Sequence, residues 1–199
     1  MKQKSEPQRK QLLRKIAIAR SMPSAPPKQA IQPNLHPFVD VRCALAERRF
    51  EAAEVVESLA ALGLANHWED VYAISYAMGL EISLLFDAEN NVWIDIGRPG
   101  MVRLSPPSGA LLPFRLWVHT HPLTAYWSAT DTHTLANSTP ILERAYVLGL
   151  DHYLQAVNRG DLLAEEGELR LDVAGPLSQW TAEEVNEYEL FADPWLEDV

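Results

Sequence analysis

The sequence predicts a single α/β domain in which a sheet is flanked by helices, and three observations carry that reading. The chain has 199 residues, enough for one domain with appendages and a sizeable core. Two helix-patterned runs come first, and a series of short segments with strand-like alternation follows. A short polar stretch from Thr130 to Asn137 interrupts those segments and suits one further helix.

Taken in order, Val41 to Leu62 places Leu45, Val55, Val56, Leu59 and Leu62 at helical intervals, and Gly63 offers a C-terminal stop. His67 to Met78 is the second helix. Strands are expected at Glu81 to Phe86 and Val92 to Ile96, joined into a hairpin by the turn chemistry of Glu89-Asn90-Asn91. A strand at Met101 to Leu104 is separated by the loop Pro106-Pro107-Ser108-Gly109 from another at Phe114 to Val118. In that last run Phe114, Leu116 and Val118 alternate with Arg115, Trp117 and His119. Arg144 to Leu148 and His152 to Val157 read as paired strands with Gly149 in their connection, and Leu169 to Val173 as an edge strand. Thr181-Ala182-Glu183-Glu184 has the form of a capping box, which predicts an acidic helix from Ala182 to Phe191. No internal repeat is present.

Charge divides the chain. Residues 1–28 hold eight basic side chains against Glu6 alone, a net of +7 in a protein whose total is −10, so residues 29–199 carry −17. Residues 1–35 therefore read as a basic, proline-rich tail and linker, 36–175 as the domain, and 176–199 as an acidic C-terminal helix and tail. Within the tail, Gln11 to Arg20 suits one short amphipathic helix. Such a tail has the charge to contact nucleic acid, a membrane surface or an acidic partner, to fold back on its own domain, or to serve as an organellar presequence. All five lysines fall in residues 1–28, so the body carries arginine only. Genome base composition explains that bias, and so does protection beside a lysine-conjugating system. No apolar run approaches the ~20 residues that span a bilayer, no secretory signal is visible, and the single Cys43 cannot build a disulfide framework. The expectation is a cytoplasmic protein in which Cys43 is a small core residue.

The chemistry concentrates in thirteen residues. His119-Thr120-His121-Pro122 is followed by Ser128-Ala129-Thr130-Asp131. Histidines two apart on an extended segment point to the same side and face one ion together. Pro122 ends the strand, Ser128 is a good N-cap, and the helix it starts would bring Asp131 back as a third ligand. Three protein ligands leave the fourth position of a tetrahedral zinc open for water, the arrangement of a catalytic rather than a structural site. The plainer alternative is a strand end with two surface histidines.

These residues resemble the signature of the JAMM metallopeptidases, also called MPN-plus proteins: His-x-His-Pro, a short loop, then Ser-x-x-Asp. The resemblance spans roughly Glu81 to Val157 and implies a cytidine-deaminase-like mixed sheet flanked by helices. It also implies zinc held by His119, His121 and Asp131, with Ser128 polarising the scissile carbonyl and an upstream glutamate holding the catalytic water. Five residues, Leu123 to Trp127, separate Pro122 from Ser128 where the family usually has six, so a one-residue shift between Thr130 and Asp131 stays open. For the glutamate the candidates are Glu54, Glu57, Glu69 and Glu81. In the family it precedes a hydrophobic strand beside the one bearing the histidines, which selects Glu81, with Glu69 as the fallback. The interval from Glu81 to His119 is shorter than usual, so a strand or loop must be trimmed.

The implied activity is zinc-dependent hydrolysis of an isopeptide or peptide bond at the C-terminus of a ubiquitin-like or sulfur-carrier protein. Zinc supplies the chemistry by lowering the pKa of bound water from about 15.7 toward roughly 7. Glu81 would act as general base and Ser128 as an oxyanion donor. The hairpin wording and Leu150-Asp151-His152-Tyr153-Leu154 also resemble the RadC branch. The alternative is accordingly a RadC-like or inactive scaffold that binds a protein or nucleic-acid partner. His133, two residues after Asp131, does not share its helix face, and Asp151-His152 reads as a turn pair. His36 reads as incidental and His67 as a helix opener. Tyr126 and Trp127 are candidates for substrate contact or for plugging the loop onto the domain.

Overall fold

The computed structural model describes residues 29–97, 104, 107–160, 169–182 and 185–188. The basic tail with its Gln11–Arg20 helix and three of the four residues of the strand expected at Met101 to Leu104 lie outside them.

Among the described residues three helices come first: α1 (Phe38–Ala46), α2 (Ala53–Leu64) and α3 (Trp68–Met78). The single helix expected from Val41 to Leu62 is therefore two. The break spans Glu47 to Ala52, where Arg48 takes a left-handed conformation, φ 58°, and Arg49 N closes back onto Ala44 O at 2.8 Å. Gly63 is not a stop but a buried residue inside α2. A side chain there would meet Leu84 Cδ2 at 2.7 Å, so the glycine allows α2 to approach the sheet. Helix α3 does end on a glycine, Gly79, at φ 66°.

Strands β1 (Ile82–Phe86) and β2 (Val92–Ile96) form the expected hairpin, with Asn90 in the turn at φ 63°. Next come β3 (Leu116–Thr120), α4 (Ala129–Ser138), β4 (Arg144–Leu148) and β5 (His152–Asn158). Short strands β6 (Leu169–Arg170), β7 (Trp180–Ala182) and β8 (Asn186–Glu187) complete one mixed eight-stranded sheet. Its order is β2-β1-β3-β4-β5-β7-β6, with β8 also on β5. β3 and β4 are parallel, with α4 as their crossover, and the other pairs are antiparallel. Ile31, ahead of α1, bridges to Val92 on β2.

The C-terminal end departs from expectation. Thr181 and Ala182 do not open an acidic helix, because Thr181 is paired in β7 between Val157 and Arg170, and Asn186–Glu187 lies in β8. Trp180 anchors this edge, fully buried with Nε1 donating to Thr139 Oγ1 at 3.0 Å. A tryptophan in the interior outweighs a local capping pattern. The stretch 189–191, also assigned to that helix, lies outside the described residues.

The sheet buries both faces, as its apolar strands require. On one side α1, α2 and α3 pack Val41, Leu59, Val71 and Ile74 against Ile82, Leu84 and Val118. On the other, Leu135 of α4 joins Leu85, Phe114, Trp117, Leu142 and Trp180. Alternation thus puts Trp117, and with it His119, on the α4 face. Cys43 is exposed on α1, not a core residue. Among the described residues no helix is long and apolar enough to cross a membrane.

Candidate metal centre

The expected strand at Phe114 to Val118 is shifted two residues onward, so His119 lies within β3 and His121 just beyond it. His119 is flanked by Ser83 on β1 and Val147 on β4, and His121 N donates to Leu148 O at 2.9 Å. Both imidazole rings are buried, at 1% and 6% exposure. Trp117, two residues earlier on the same face, stacks on His119 with centroids 4.4 Å apart and 14° between planes. Its Nε1 donates to Ser83 Oγ at 2.8 Å, so the indole that braces His119 is itself fixed.

Asp131 arrives from α4. Ser128 caps that helix: its Oγ accepts from Asp131 N at 3.2 Å, while Asp131 Oδ2 accepts from Ser128 N at 2.8 Å. The cap holds the Asp131 carboxylate, 4% exposed, over the strand end. Oδ1 lies 3.1 Å from His119 Nε2 and Oδ2 lies 3.4 Å from His121 Nε2. The five-residue loop is therefore long enough, and the open register resolves with Asp131 inward and Thr130 exposed.

Three polar atoms of the two rings, His119 Nδ1 and Nε2 and His121 Nδ1, are buried without a hydrogen-bond partner. The 3.1 Å contact of His119 Nε2 with Asp131 is short, yet not aligned as a hydrogen bond. Orphaned buried polar atoms are rare and costly. A cation between His119 Nε2, His121 Nε2 and Asp131 would give His119 Nε2 a partner: ligands at about 2.0–2.1 Å in a tetrahedron lie ~3.3 Å from one another, close to the 3.1 and 3.4 Å separations of the two Nε2 atoms from the carboxylate. Burial pushes the His119 imidazolium down, against the pull of Asp131, which leaves a neutral ring able to ligate. For Asp131 burial acts upward, but His119, His121 and the Ser128 cap outweigh it and hold the carboxyl well below the usual range. His119, His121 and Asp131 thus form a buried group that could hold a metal ion.

Glu81 lies immediately before β1 and is 7% exposed. Continuing the β1–β3 register, in which Ser83 faces His119, sets Glu81 opposite His121. It shares with His121 a cavity of about 180 Å³, walled by Tyr72, Tyr76, Leu80 and Pro122. The other glutamates lie elsewhere. Glu69 is half-buried in the first turn of α3 and outside that cavity, Glu54 is 3.5 Å from Arg49, and Glu57 pairs with His36 at 2.8 Å.

The loop after Pro122 is held from the β4–β5 turn. Leu150 N donates to Leu123 O at 2.7 Å, and a side chain on Gly149 would meet Ala125 N at 2.5 Å, so only glycine lets the two backbones approach. The ring of Tyr126 lies 4.5 Å from that of His121, and Trp127 6.3 Å from His119. Tyr126 is exposed beside His121, while Trp127 packs toward the α4 core and plugs the loop onto the domain.

Histidines outside the motif are accounted for locally. His133 is exposed on α4 and contacts Asn137, and His152 pairs with Asp151 at 2.6 Å. His67 occupies the N-cap position of α3. His36 is not incidental: its backbone N donates to Ser58 Oγ and its ring meets Glu57, tying the linker end to α2. Sequence reasoning missed the supports: Trp117, Ser83, and the pair Ser75 and Thr120. The Thr120 hydroxyl accepts from Ile82 N at 3.0 Å and meets Ser75 Oγ at 2.6 Å. Of these only Trp117 carried a signal, its spacing of two from His119. No family model, curated protein or solved structure matches the chain.

Proposed function

We propose that this protein is a zinc-dependent hydrolase of the JAMM kind, acting on an isopeptide or peptide bond at the C-terminus of a ubiquitin-like or sulfur-carrier protein. One observation carries the reading: two buried imidazoles converge through their Nε2 atoms on a buried carboxylate, beside a cavity that a second carboxylate lines. Two nitrogens and one oxygen are the donor set of a catalytic zinc with an open position. The bound ion would supply an acidified water and polarise the substrate carbonyl.

The chain's own residues do the rest. His119, His121 and Asp131 would hold the ion, and Trp117 keeps the His119 ring from turning. Glu81 takes the proton of the attacking water at its carboxylate and returns it to the leaving nitrogen. Ser128 Oγ serves the cap as an acceptor, which leaves its O–H to donate to the oxygen that gains charge. Asp131 is ionised in the same arrangement that starts α4, so capping and ligation reinforce each other.

The test has two steps. Metal analysis of purified protein should find near-stoichiometric zinc in wild type and none in His119→Ala; wild type that binds no zinc would refute the reading. Cleavage of a ubiquitin-like fusion should then be lost in Glu81→Gln while zinc is retained. Undiminished cleavage by that variant would move the base to another carboxylate, and zinc binding without cleavage of any amide substrate would favour the inactive-scaffold alternative.

A further inference from the structure

We propose that the cavity beside His121 is a binding pocket for one apolar side chain, of leucine to phenylalanine size, on a residue flanking the bond to be cut. The inference rests on the hydrolase reading for its substrate, but its walls are independent of the metal. Tyr72, Tyr76, Gly79, Leu80 and Pro122 line the space, and Glu81 and His121 close the end nearest the ligand group. About 180 Å³ is the scale of a single ring, since a cavity of roughly 150 Å³ accepts benzene.

The lining is apolar by engagement as well as by composition. Tyr72 Oη donates to Pro122 O at 2.8 Å, and Ser75 Oγ donates to Leu80 O at 2.7 Å and meets Thr120 Oγ1. These hydroxyls already have partners inside the protein. A polar occupant would find these hydroxyls already engaged, with only Glu81 and His121 at the inner end left to meet it, whereas an apolar one forfeits no hydrogen bond along the side walls.

The pocket is also preformed. The Tyr72 hydrogen bond ties α3 to the loop after the histidines, and the Ser75 bonds pin the turn from α3 into β1. Tyr76 stacks on Tyr72 with centroids 6.1 Å apart and is 62% exposed, forming the outer wall. Gly79, in its left-handed conformation, meets nothing within 4 Å of where a Cβ would stand, so the rim there is open. A rigid apolar pocket discriminates by burial, and filling it rather than leaving it empty is worth about 10- to 100-fold.

The test uses the full-length zinc-loaded protein and two acetylated peptide amides that differ only in phenylalanine against glycine at one position. NMR titration should show the phenylalanine peptide shifting the amide resonances of Tyr76, Gly79 and Leu80, with affinity at least about 10-fold above the glycine peptide. Leu80→Trp, which fills the space, should abolish the difference. Tyr76→Ser, at an exposed position that does not threaten folding, should reduce it about 3-fold or more. Equal binding of the two peptides, or shifts confined to other residues, overturns the pocket whether or not the protein hydrolyses anything. Selective binding without turnover of any amide substrate upholds the pocket and overturns the hydrolase reading instead.

Discussion

Two buried aspartates sit at opposite ends of the sheet and do different work. Asp87, just after β1, is fully buried, and both its oxygens are engaged by donors. Oδ1 accepts from Glu89 N and Asn91 N, and Oδ2 from Asn91 Nδ2 and Leu111 N, all within 3.1 Å. Asp131 is almost as buried, yet among the described residues one amide, Ser128 N, donates to it, and the two imidazoles are its other polar neighbours. Asp87 closes a hairpin and needs nothing more. Asp131 sits in a group that could hold a metal ion. Burial of a carboxylate therefore does not by itself mark a candidate metal site; the two differ in whether hydrogen-bond donors or imidazole rings surround the oxygens.

The largest expected effect separates the two. Asp131→Ala should weaken zinc binding by about 1,000-fold or more, since it removes a ligand, while Asp87→Ala should leave zinc affinity within about 3-fold in the folded protein. Isothermal titration with competing chelator reads both, and equal losses would erase the contrast. In urea denaturation of the metal-free protein the order should invert. Asp87→Ala strands at least three donors and should lose about 3 kcal/mol, whereas Asp131→Ala should lose about 1 kcal/mol, the worth of its cap.

Zinc itself sharpens the comparison. On the proposed reading, zinc at 100 times its dissociation constant should stabilise wild type by about 2.7 kcal/mol through binding to the folded state, and should leave the melting of Asp131→Ala unchanged. A smaller effect concerns acid. At Asp87 burial acts to raise the carboxyl, but the donors from Leu111, Asn91 and Glu89 outweigh it and hold the carboxyl below its ordinary value. A depressed folded-state pKa adds stability above the unfolded value, near 3.9, and that stability is lost as pH falls through the folded value. Metal-free wild type should therefore lose its advantage over Asp87→Asn as pH is lowered from 5 toward 3. A constant gap across that range would assign Asp87 a purely geometric role. The smallest effect is at Tyr126, where replacement of an exposed ring by alanine should change stability by less than about 1 kcal/mol.

Much of this was legible locally. The β1–β2 hairpin followed from Glu89-Asn90-Asn91 because a left-handed residue is needed there and asparagine tolerates it. The break between α1 and α2 was not legible, because the left-handed residue is Arg48, with no glycine or proline to announce it. The capping pattern at Thr181 misled for a different reason: β7 exists through pairing with β5, more than twenty residues earlier, and through burial of Trp180. Local propensity is a weak prior against that much interior contact.

The candidate centre divides along the same line. His119, His121, Ser128 and Asp131 lie within thirteen residues, and strand alternation plus one helix cap suffice to bring three of them to a point. Their convergence was determined by the sequence alone, since every step is a short-range geometric rule. Glu81 lies 38 residues before His119. Only the antiparallel pairing of β1 with β3 sets it opposite His121, and only the docking of α3 on that sheet end encloses the cavity between them. Register between distant strands depends on which apolar faces find each other in the folded core, a property of the assembled chain.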